Sequence, residues 1–139
     1  IIFTVSPIRY AKYGYHESQL SKAALLLSVH DVIGEHIDEN VAYFPAYEIV
    51  NDELRDYRFY KADMLHPNEQ AVAYIWEQLV ATCFSATAKR FLKEWRPIKE
   101  ALAHRPFHPE AATYQDFLKK TKEAARLLKK KYPNLELKE

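Results

Sequence analysis

The sequence has few of the residues on which several kinds of site depend. A single cysteine, Cys83, excludes an internal disulfide and a cysteine-based zinc site. The only two glycines, Gly14 and Gly34, belong to neither GxGxxG nor GxxxxGKS/T, which excludes the glycine-rich loops that cradle phosphates. No apolar run approaches the ~20 residues that a transmembrane helix needs, so we expect no membrane partner.

What is present is the composition of a folded domain. The chain has 139 residues, of which 48% are hydrophobic and 28% charged. This length suits one domain, and this balance excludes intrinsic disorder because enough apolar surface is available to form a core.

The chain opens with Ile1–Val5, an apolar run without a methionine or a polar lead-in. Five residues typical of a buried strand are an unusual start for a translated protein. We therefore expect the 139 residues to be the C-terminal portion of a longer protein, in which any signal peptide would precede them. The compartment stays open, with the cytoplasm favoured because one cysteine is compatible with it.

Charge divides the chain into two unlike segments. Residues 1–84 carry 6 Lys and Arg against 12 Asp and Glu, net −6, whereas residues 85–139 carry 14 against 7, net +7. The lysines of the second segment alternate with Glu123 and with apolar positions, which is typical of a solvated amphipathic helix. We therefore expect no nucleic-acid partner.

Segment 1–84 alternates predicted strands and helices. We predict a strand over Ile1–Val5, a helix from Leu20 to Ile37 with Ser18 as its N-cap, and a strand over Val41–Val50. A further helix follows Pro67, which suits its first turn. Its apolar positions are Ala71, Ile75, Trp76, Leu79 and Phe84. Such long connections indicate a parallel α/β sheet, and two strands are too few for it, so further strands are expected upstream.

Segment 85–139 is predicted to be helical. One apolar stripe is bent or restarted at Pro97, a second follows a proline-containing connector over 104–109, and Pro133 ends the last helix. The two stripes comprise Phe91, Leu92, Trp95, Ile98 and Leu102, then Tyr114, Phe117, Leu118, Thr121, Ala125 and Leu128. Lys129–Lys131 lie where a helix C-terminus favours cations.

The segment Asp63-Met64-Leu65-His66-Pro67-Asn68 is the most informative part of the chain. On a helical turn, a spacing of three places Asp63 beside Nδ1 of His66. A carboxylate there selects the tautomer in which Nε2 is left to take a proton from a nucleophile. The alternative is an aspartate that caps the turn beside a surface histidine.

Several unusual strings occur along this sequence: Thr4-Val5-Ser6-Pro7-Ile8-Arg9, Ser21-Lys22, Tyr43-Phe44-Pro45-Ala46-Tyr47-Glu48, Leu54-Arg55-Asp56-Tyr57-Arg58-Phe59-Tyr60, Asp63-Met64-Leu65-His66-Pro67, Tyr74-Ile75-Trp76, His104-Arg105-Pro106-Phe107 and Lys130-Lys131-Tyr132-Pro133. Together these strings resemble the GSCFA family, within the SGNH (GDSL-type) hydrolase superfamily. The resemblance covers essentially the whole chain and keeps the family's order.

The resemblance implies a partial three-layer, flavodoxin-like parallel sheet of the SGNH type over 1–84, with 85–139 as a helical extension packed on it. It also implies hydrolysis of acyl or acetyl esters, carbohydrate esters among them, by a Ser-His-Asp triad without a metal or other cofactor. His66 matches the general base and Asp63 its partner. The family's Gly-Ser-Cys-Phe-Ala string, which holds the nucleophile, does not occur in this sequence.

Other residues are weaker candidates. Arg58 and Tyr60 are candidates for substrate binding, the alternatives being a salt-bridged loop and aromatic packing. Ser6 reads as a strand-ending turn and Cys83 as a buried structural residue, so we expect no competent nucleophile in the chain and no activity without upstream residues. The histidine spacings do not suit a metal site.

A second hypothesis is of a different class. The chain is then a non-catalytic fragment or scaffold, which pairs through an exposed strand edge with a second copy or with the missing half of the sheet. The absent nucleophile is the feature that separates this hypothesis from the ester hydrolase.

Overall fold

The computed structural model describes residues 1–36 and 40–137. The chain forms two units, Ile1–Cys83 and Phe84–Glu139. In chain order the described elements are β1 (Ile2–Phe3), α1 (Tyr15–Glu35), β2 (Ala42–Tyr43), α2 (Ala46–Glu48), a π-helical turn (Ile49–Leu54), a 3₁₀ turn (Tyr57–Phe59), α3 (Glu69–Cys83), α4 (Ala86–Ala103) and α5 (Ala112–Lys131). This mixture of helices with a small parallel sheet agrees with the α/β class.

The sheet of the first unit consists, within the described residues, of β1 and β2 in parallel. Ile2 pairs with Ala42, and the Phe44 N–H donates a 2.8 Å hydrogen bond to the Phe3 carbonyl. The predicted parallel direction is confirmed. Its cause is the α1 crossover, which carries the chain from the carboxyl end of β1 back to the opposite end of the sheet, where β2 begins.

The predicted strand over Val41–Val50 is wrong beyond Tyr43. Pro45 has no N–H with which to extend the ladder, and its carbonyl instead accepts a 2.9 Å bond from the Ile49 N–H as the chain turns into α2. A short apolar run does not by itself distinguish a strand from a buried helix. The first strand is also shorter than the predicted Ile1–Val5.

The helix that follows β2 forms the centre of the first unit's core. Phe44, Ala46 and Ile49 are buried together, and α3 packs on them with side chains that include Ile75 and Leu79. Ala71, at the start of α3, is completely buried. Of the apolar positions noted in the sequence of this helix, Ile75 and Leu79 pack on the core, whereas Trp76 is 48% exposed.

The start of α1 also differs from the prediction. The helix begins at Tyr15, after Gly14 with φ 93° and ψ 160°, and the Ser18 N–H donates to the Gly14 carbonyl. Ser18 therefore lies inside the first turn, where its hydroxyl accepts a 3.2 Å bond from the Tyr10 N–H. Ile37, the predicted end of the helix, lies outside the described residues.

The second unit pairs α4 with α5. Phe91 and Tyr132 rings meet edge to face with centroids 5.0 Å apart, and Lys131 Nζ lies 2.6 Å from a Glu94 carboxylate oxygen. α4 is continuous through Pro97, so of the two predicted alternatives, a bend and a restart, the restart is wrong. Lys129, Lys130 and Lys131 lie in the last turn of α5, as predicted.

Within the described residues, no helix has the combined length and apolarity to cross a membrane.

Candidate functional site: the Asp63–His66 turn

Asp63 and His66 lie on the turn that connects the 3₁₀ turn to α3. Oδ2 of Asp63 is 2.7 Å from Nδ1 of His66. Oδ1 of the same carboxylate accepts backbone N–H bonds from Leu65, at 2.9 Å, and from His66, at 3.0 Å. The structure therefore brings the two predicted residues together, and both carboxylate oxygens are engaged.

The prediction assumed a helical turn, but the backbone that creates this contact is not helical. Met64 has a positive φ of 58°, and its N–H donates to the Lys61 carbonyl at 2.9 Å. The Lys61 N–H in turn donates to the His66 carbonyl at 2.8 Å, closing the turn. Aspartate favours such turns because its side chain accepts hydrogen bonds from backbone N–H groups two and three residues on. The same carboxylate thus caps the turn and contacts the imidazole.

Two residues after His66 anchor the turn to the rest of the unit. Pro67 forms an antiparallel bridge with Tyr60, so it precedes α3 and does not occupy its first turn as predicted. Asn68 is the capping residue: its Oδ1 accepts from the Ala71 N–H at 3.0 Å, and its Nδ2 donates to the Arg58 carbonyl at 2.6 Å. Asparagine suits this position because its side chain satisfies an unpaired helix N–H.

The electrostatics favour an ionised carboxylate at this turn. Hydrogen bonds from the His66 and Leu65 backbones, followed by the bond with the His66 side chain, lower the pKa of Asp63 to about 2. The ionised Asp63 accepts the Nδ1–H of His66, which leaves Nε2 as the basic nitrogen. The two side chains are 43% and 51% exposed, so a substrate can approach the imidazole.

The two weaker candidates have different surroundings. The Arg58 guanidinium lies 3.8 Å from Asp56 and over the Phe59 ring, which agrees with the salt-bridged loop. Tyr60 is half-buried, and burial raises the pKa of its hydroxyl. Tyr60 also bridges to Pro67, directly after His66. Substrate binding by Arg58 and Tyr60 stays a prediction.

Arg9 is the residue that the sequence analysis missed as part of this site. Its N–H donates to the Leu65 carbonyl and its Nη1 to the Met64 carbonyl, both at 3.0 Å. Arg9 and Met64 are 55 positions apart, so no local spacing indicated the contact. The available signal was topological: Arg9 follows a parallel strand's carboxyl end, where open α/β sheets keep their sites.

The structure also places the two nucleophile candidates that the sequence analysis set aside. Ser6 Oγ accepts a 3.4 Å bond from the Ile8 N–H, as a turn serine does, and the Ser6 carbonyl accepts a 2.7 Å bond from the buried Lys22. Desolvation lowers the pKa of that lysine. Cys83 is exposed, so its predicted burial is wrong: α3 ends there, and the thiol lies 3.4 Å from Thr82 Oγ1.

Among the residues that the structure describes, acidic and histidine side chains elsewhere do not gather around a common point. Within residues 1–36 and 40–137, no three His, Cys, Asp or Glu side chains are grouped so as to hold a metal ion. The site is therefore described by the Asp63–His66 pair and the residues that hold its turn.

Comparison with family models shows to which protein family the chain belongs. The model of the GSCFA family matches residues 1–79, more than half of the chain. The chain belongs to the GSCFA family. A model of the GSCFA domain protein C-terminal domain matches residues 95–139, so GSCFA models account for parts of both units. The GSCFA resemblance read from the sequence is confirmed, and Arg9, Asp63 and His66 all lie within the first match. Searches of curated proteins and of solved structures returned no match.

Proposed function

We propose that this GSCFA protein is part of an SGNH-like serine ester hydrolase and that this chain supplies its acid–base half. The observation that carries the proposal is the 2.7 Å contact between Asp63 Oδ2 and His66 Nδ1. A histidine oriented by a carboxylate at Nδ1 is the arrangement that activates a hydroxyl nucleophile through Nε2. The exposure of the imidazole is consistent with that role.

The reaction is acyl transfer to a serine and then to water. Nε2 of His66 takes the proton of a serine hydroxyl as its oxygen attacks the ester carbonyl, and the imidazolium returns that proton to the leaving alcohol. A water molecule then attacks the acyl-serine with His66 again as base, releasing the acid and restoring the serine. Asp63 holds the imidazole and stabilises its charged form throughout.

The proposal assigns the nucleophile to the part of the gene product that precedes Ile1. The family's Gly-Ser-Cys-Phe-Ala string does not occur among these 139 residues, whereas the acid–base pair does. The substrates that we propose are acetyl and other acyl esters, with carbohydrate esters as the leading class. A triad of this kind needs no metal, because the imidazole and the oxyanion donors carry the charge.

The test compares two polypeptides: this chain and the gene product extended upstream. Hydrolysis of p-nitrophenyl acetate and longer acyl esters is measured for each, with and without His66→Ala. We expect activity only in the extended form, and His66→Ala should lower its kcat on the order of 10³–10⁶-fold. The exposed His30 on α1 provides the matched control, since His30→Ala should leave kcat unchanged. Near-native turnover by the His66 variant would remove the mechanism.

A second proposal is a scaffold that associates through the sheet. The observation that favours it is the exposure of the chain at the start of the described two-stranded sheet: Ile1, just before β1, is 76% exposed, and Ile2 within β1 is 50% exposed. Apolar residues at an open edge favour pairing with another strand. Sedimentation of the chain at micromolar concentration tests this, and Ile2→Lys should abolish any dimer. Strictly monomeric wild-type chain, together with esterase activity in the extended form, would exclude the scaffold.

A further inference from the structure

We infer that Arg9 is a positioning residue for the Asp63–His66 pair, acting through the peptide groups of Met64 and Leu65. The part that this arginine plays in catalysis rests on the proposed function. The effect of Arg9 on the geometry of the turn does not depend on the proposed function, and it is measurable in the 139-residue chain itself.

The argument begins with the two peptide groups between Asp63 and His66. Each peptide group is planar, so its C=O and the following N–H turn together. Arg9 Nη1 donates to the Met64 C=O, and Asp63 Oδ1 accepts from the Leu65 N–H of that same peptide group. The Arg9 backbone N–H donates to the Leu65 C=O, and Asp63 Oδ1 accepts from the His66 N–H of that next peptide group.

Both peptide planes are therefore held on two sides. Arg9 holds the carbonyl side of each, at 3.0 Å, and Asp63 holds the amide side, at 2.9 and 3.0 Å. Rotation of either plane would break a bond to Arg9 and release Oδ1 of Asp63 in one movement. Because Oδ2 of that carboxylate contacts Nδ1 of His66, the imidazole would lose its orientation as well.

This turn needs such support because little apolar packing holds it. Met64 adopts a left-handed backbone conformation, which is energetically unfavourable for residues other than glycine, and it is 47% exposed. Asp63 and His66 are exposed too. Polar contacts from a separate part of the chain therefore replace the burial that orients most catalytic side chains.

The guanidinium that makes the contact is itself oriented by aromatic rings. Its carbon lies 4.6 Å from the ring centroid of Tyr15, 5.6 Å from that of Tyr57 and 5.7 Å from that of Tyr60. A planar guanidinium stacks on tyrosine rings while donating in its own plane, which an ammonium cannot do. Arg9→Lys should therefore restore the function of Arg9 only in part.

The first test measures the turn in the 139-residue chain by NMR. In Arg9→Met, we expect amide hydrogen exchange of Leu65 to be about tenfold faster, because the bond from Nη1 to its peptide group is lost. The increase for His66 should be smaller, because the Arg9 backbone N–H still holds its peptide group. The Val72 N–H, which donates to the Asn68 carbonyl in α3, should keep its rate and so excludes general unfolding. The ¹⁵N chemical shifts of the His66 ring should move from the values of the Nδ1–H tautomer towards those of a free imidazole, in which both tautomers are populated.

Matched variants separate this effect from a loss of charge or of stacking. Lys12 belongs to the same loop, and its ammonium lies 5.4 Å from the Tyr13 ring centroid, so Lys12→Met removes a similar cation. We expect Lys12→Met to leave the Leu65 and His66 exchange and the His66 ring shifts unchanged. Arg9→Lys should lie between the wild type and Arg9→Met. Unchanged exchange and ring shifts in folded Arg9→Met or, should that variant not fold, in Arg9→Lys would overturn the inference.

The second test uses the extended gene product and ester hydrolysis. Loss of orientation should lower kcat on the order of 10–10²-fold in Arg9→Met while KM changes little. If the wild-type extended protein is inactive, the proposed function fails, whereas the exchange result stands by itself. If the wild type is active and Arg9→Met keeps its kcat, the positioning role fails and the hydrolase proposal stands.

Discussion

Asp63 and His66 are joined twice, by Oδ2 to the imidazole Nδ1 at 2.7 Å and by Oδ1 to the His66 backbone N–H at 3.0 Å. One carboxylate therefore builds the turn and orients the ring that the turn presents. The alternatives that the sequence left open, a capping aspartate and an aspartate that orients a histidine, describe the same side chain. Variants at Asp63 thus affect stability and chemistry together unless the substitution separates the two oxygens.

Asp63→Asn is the variant that separates them. An asparagine Oδ1 still accepts from Leu65 and His66 but carries no charge, so the melting temperature should lie between those of the wild type and Asp63→Ala. Its NH₂ group donates to Nδ1 and thus selects the wrong tautomer, so kcat of the extended protein should fall by about 10⁴. Calorimetry and ester hydrolysis check the two parts.

Asp63→Ala provides the comparison for that variant. It removes both oxygens, so we expect a lower melting temperature in addition to the lower kcat. Equal melting temperatures for the alanine and asparagine variants would show that Oδ1 contributes nothing to the turn.

Acid should lower the free energy of unfolding of the first unit, because it protonates Asp63. The pKa of this carboxyl is about 2 in the folded chain, below the ~3.9 of an unfolded aspartate. A lowered pKa means that the unfolded state binds the proton first, so the stabilisation is complete above pH ~4 and is lost as the pH falls through 2. Urea unfolding between pH 2 and 5 should show a steeper loss for the wild type than for Asp63→Asn. Parallel curves would contradict the assignment.

The two glycines should respond in opposite directions to alanine. Gly14 has φ 93° and ψ 160°, a region essentially restricted to glycine, so Gly14→Ala should lower the free energy of unfolding by about 1–3 kcal/mol. No described atom lies within 4 Å of the added Cβ, so the cost arises from the backbone alone.

Gly34 serves as the control because it lies within α1, with equally open space around it. Gly34→Ala should raise the free energy of unfolding by roughly 0.5–1 kcal/mol, since alanine loses less backbone entropy in a helix. Urea unfolding followed by circular dichroism measures both variants. A destabilised Gly34→Ala would contradict the assignment of this position to α1.

Removal of the cap at Asn68 should loosen the start of α3. Asn68→Ala loses the bond to the Ala71 N–H and the bond to the Arg58 carbonyl, so we expect a cost of about 1–2 kcal/mol. Asn68→Asp keeps the acceptor for Ala71 and loses only the donor, so its stability should lie between those of the alanine variant and the wild type. Equal stability of all three proteins in urea would mean that this cap does not stabilise the helix.

Where the sequence prediction failed, a short apolar pattern had more than one physical solution. Val41–Val50 suits a strand or a buried helix, and Pro45 ends the ladder because it has no N–H to donate. Cys83 was predicted to be buried, and Trp76 is one of the apolar positions of α3, but only one side of that helix meets the Phe44 cluster. Which side it is depends on packing partners that are distant in the chain.

The sequence by itself determined the family, the coarse α/β class and the Asp63–His66 contact. The contact is encoded locally, since a spacing of three lets an aspartate reach both the backbone and the ring of a histidine. Only the tertiary structure decided what holds that turn. Arg9 meets Met64 across 55 positions because the loop between β1 and α1 lies against the Asp63–His66 turn. A contact of that kind depends on the path of the chain, which no local spacing encodes.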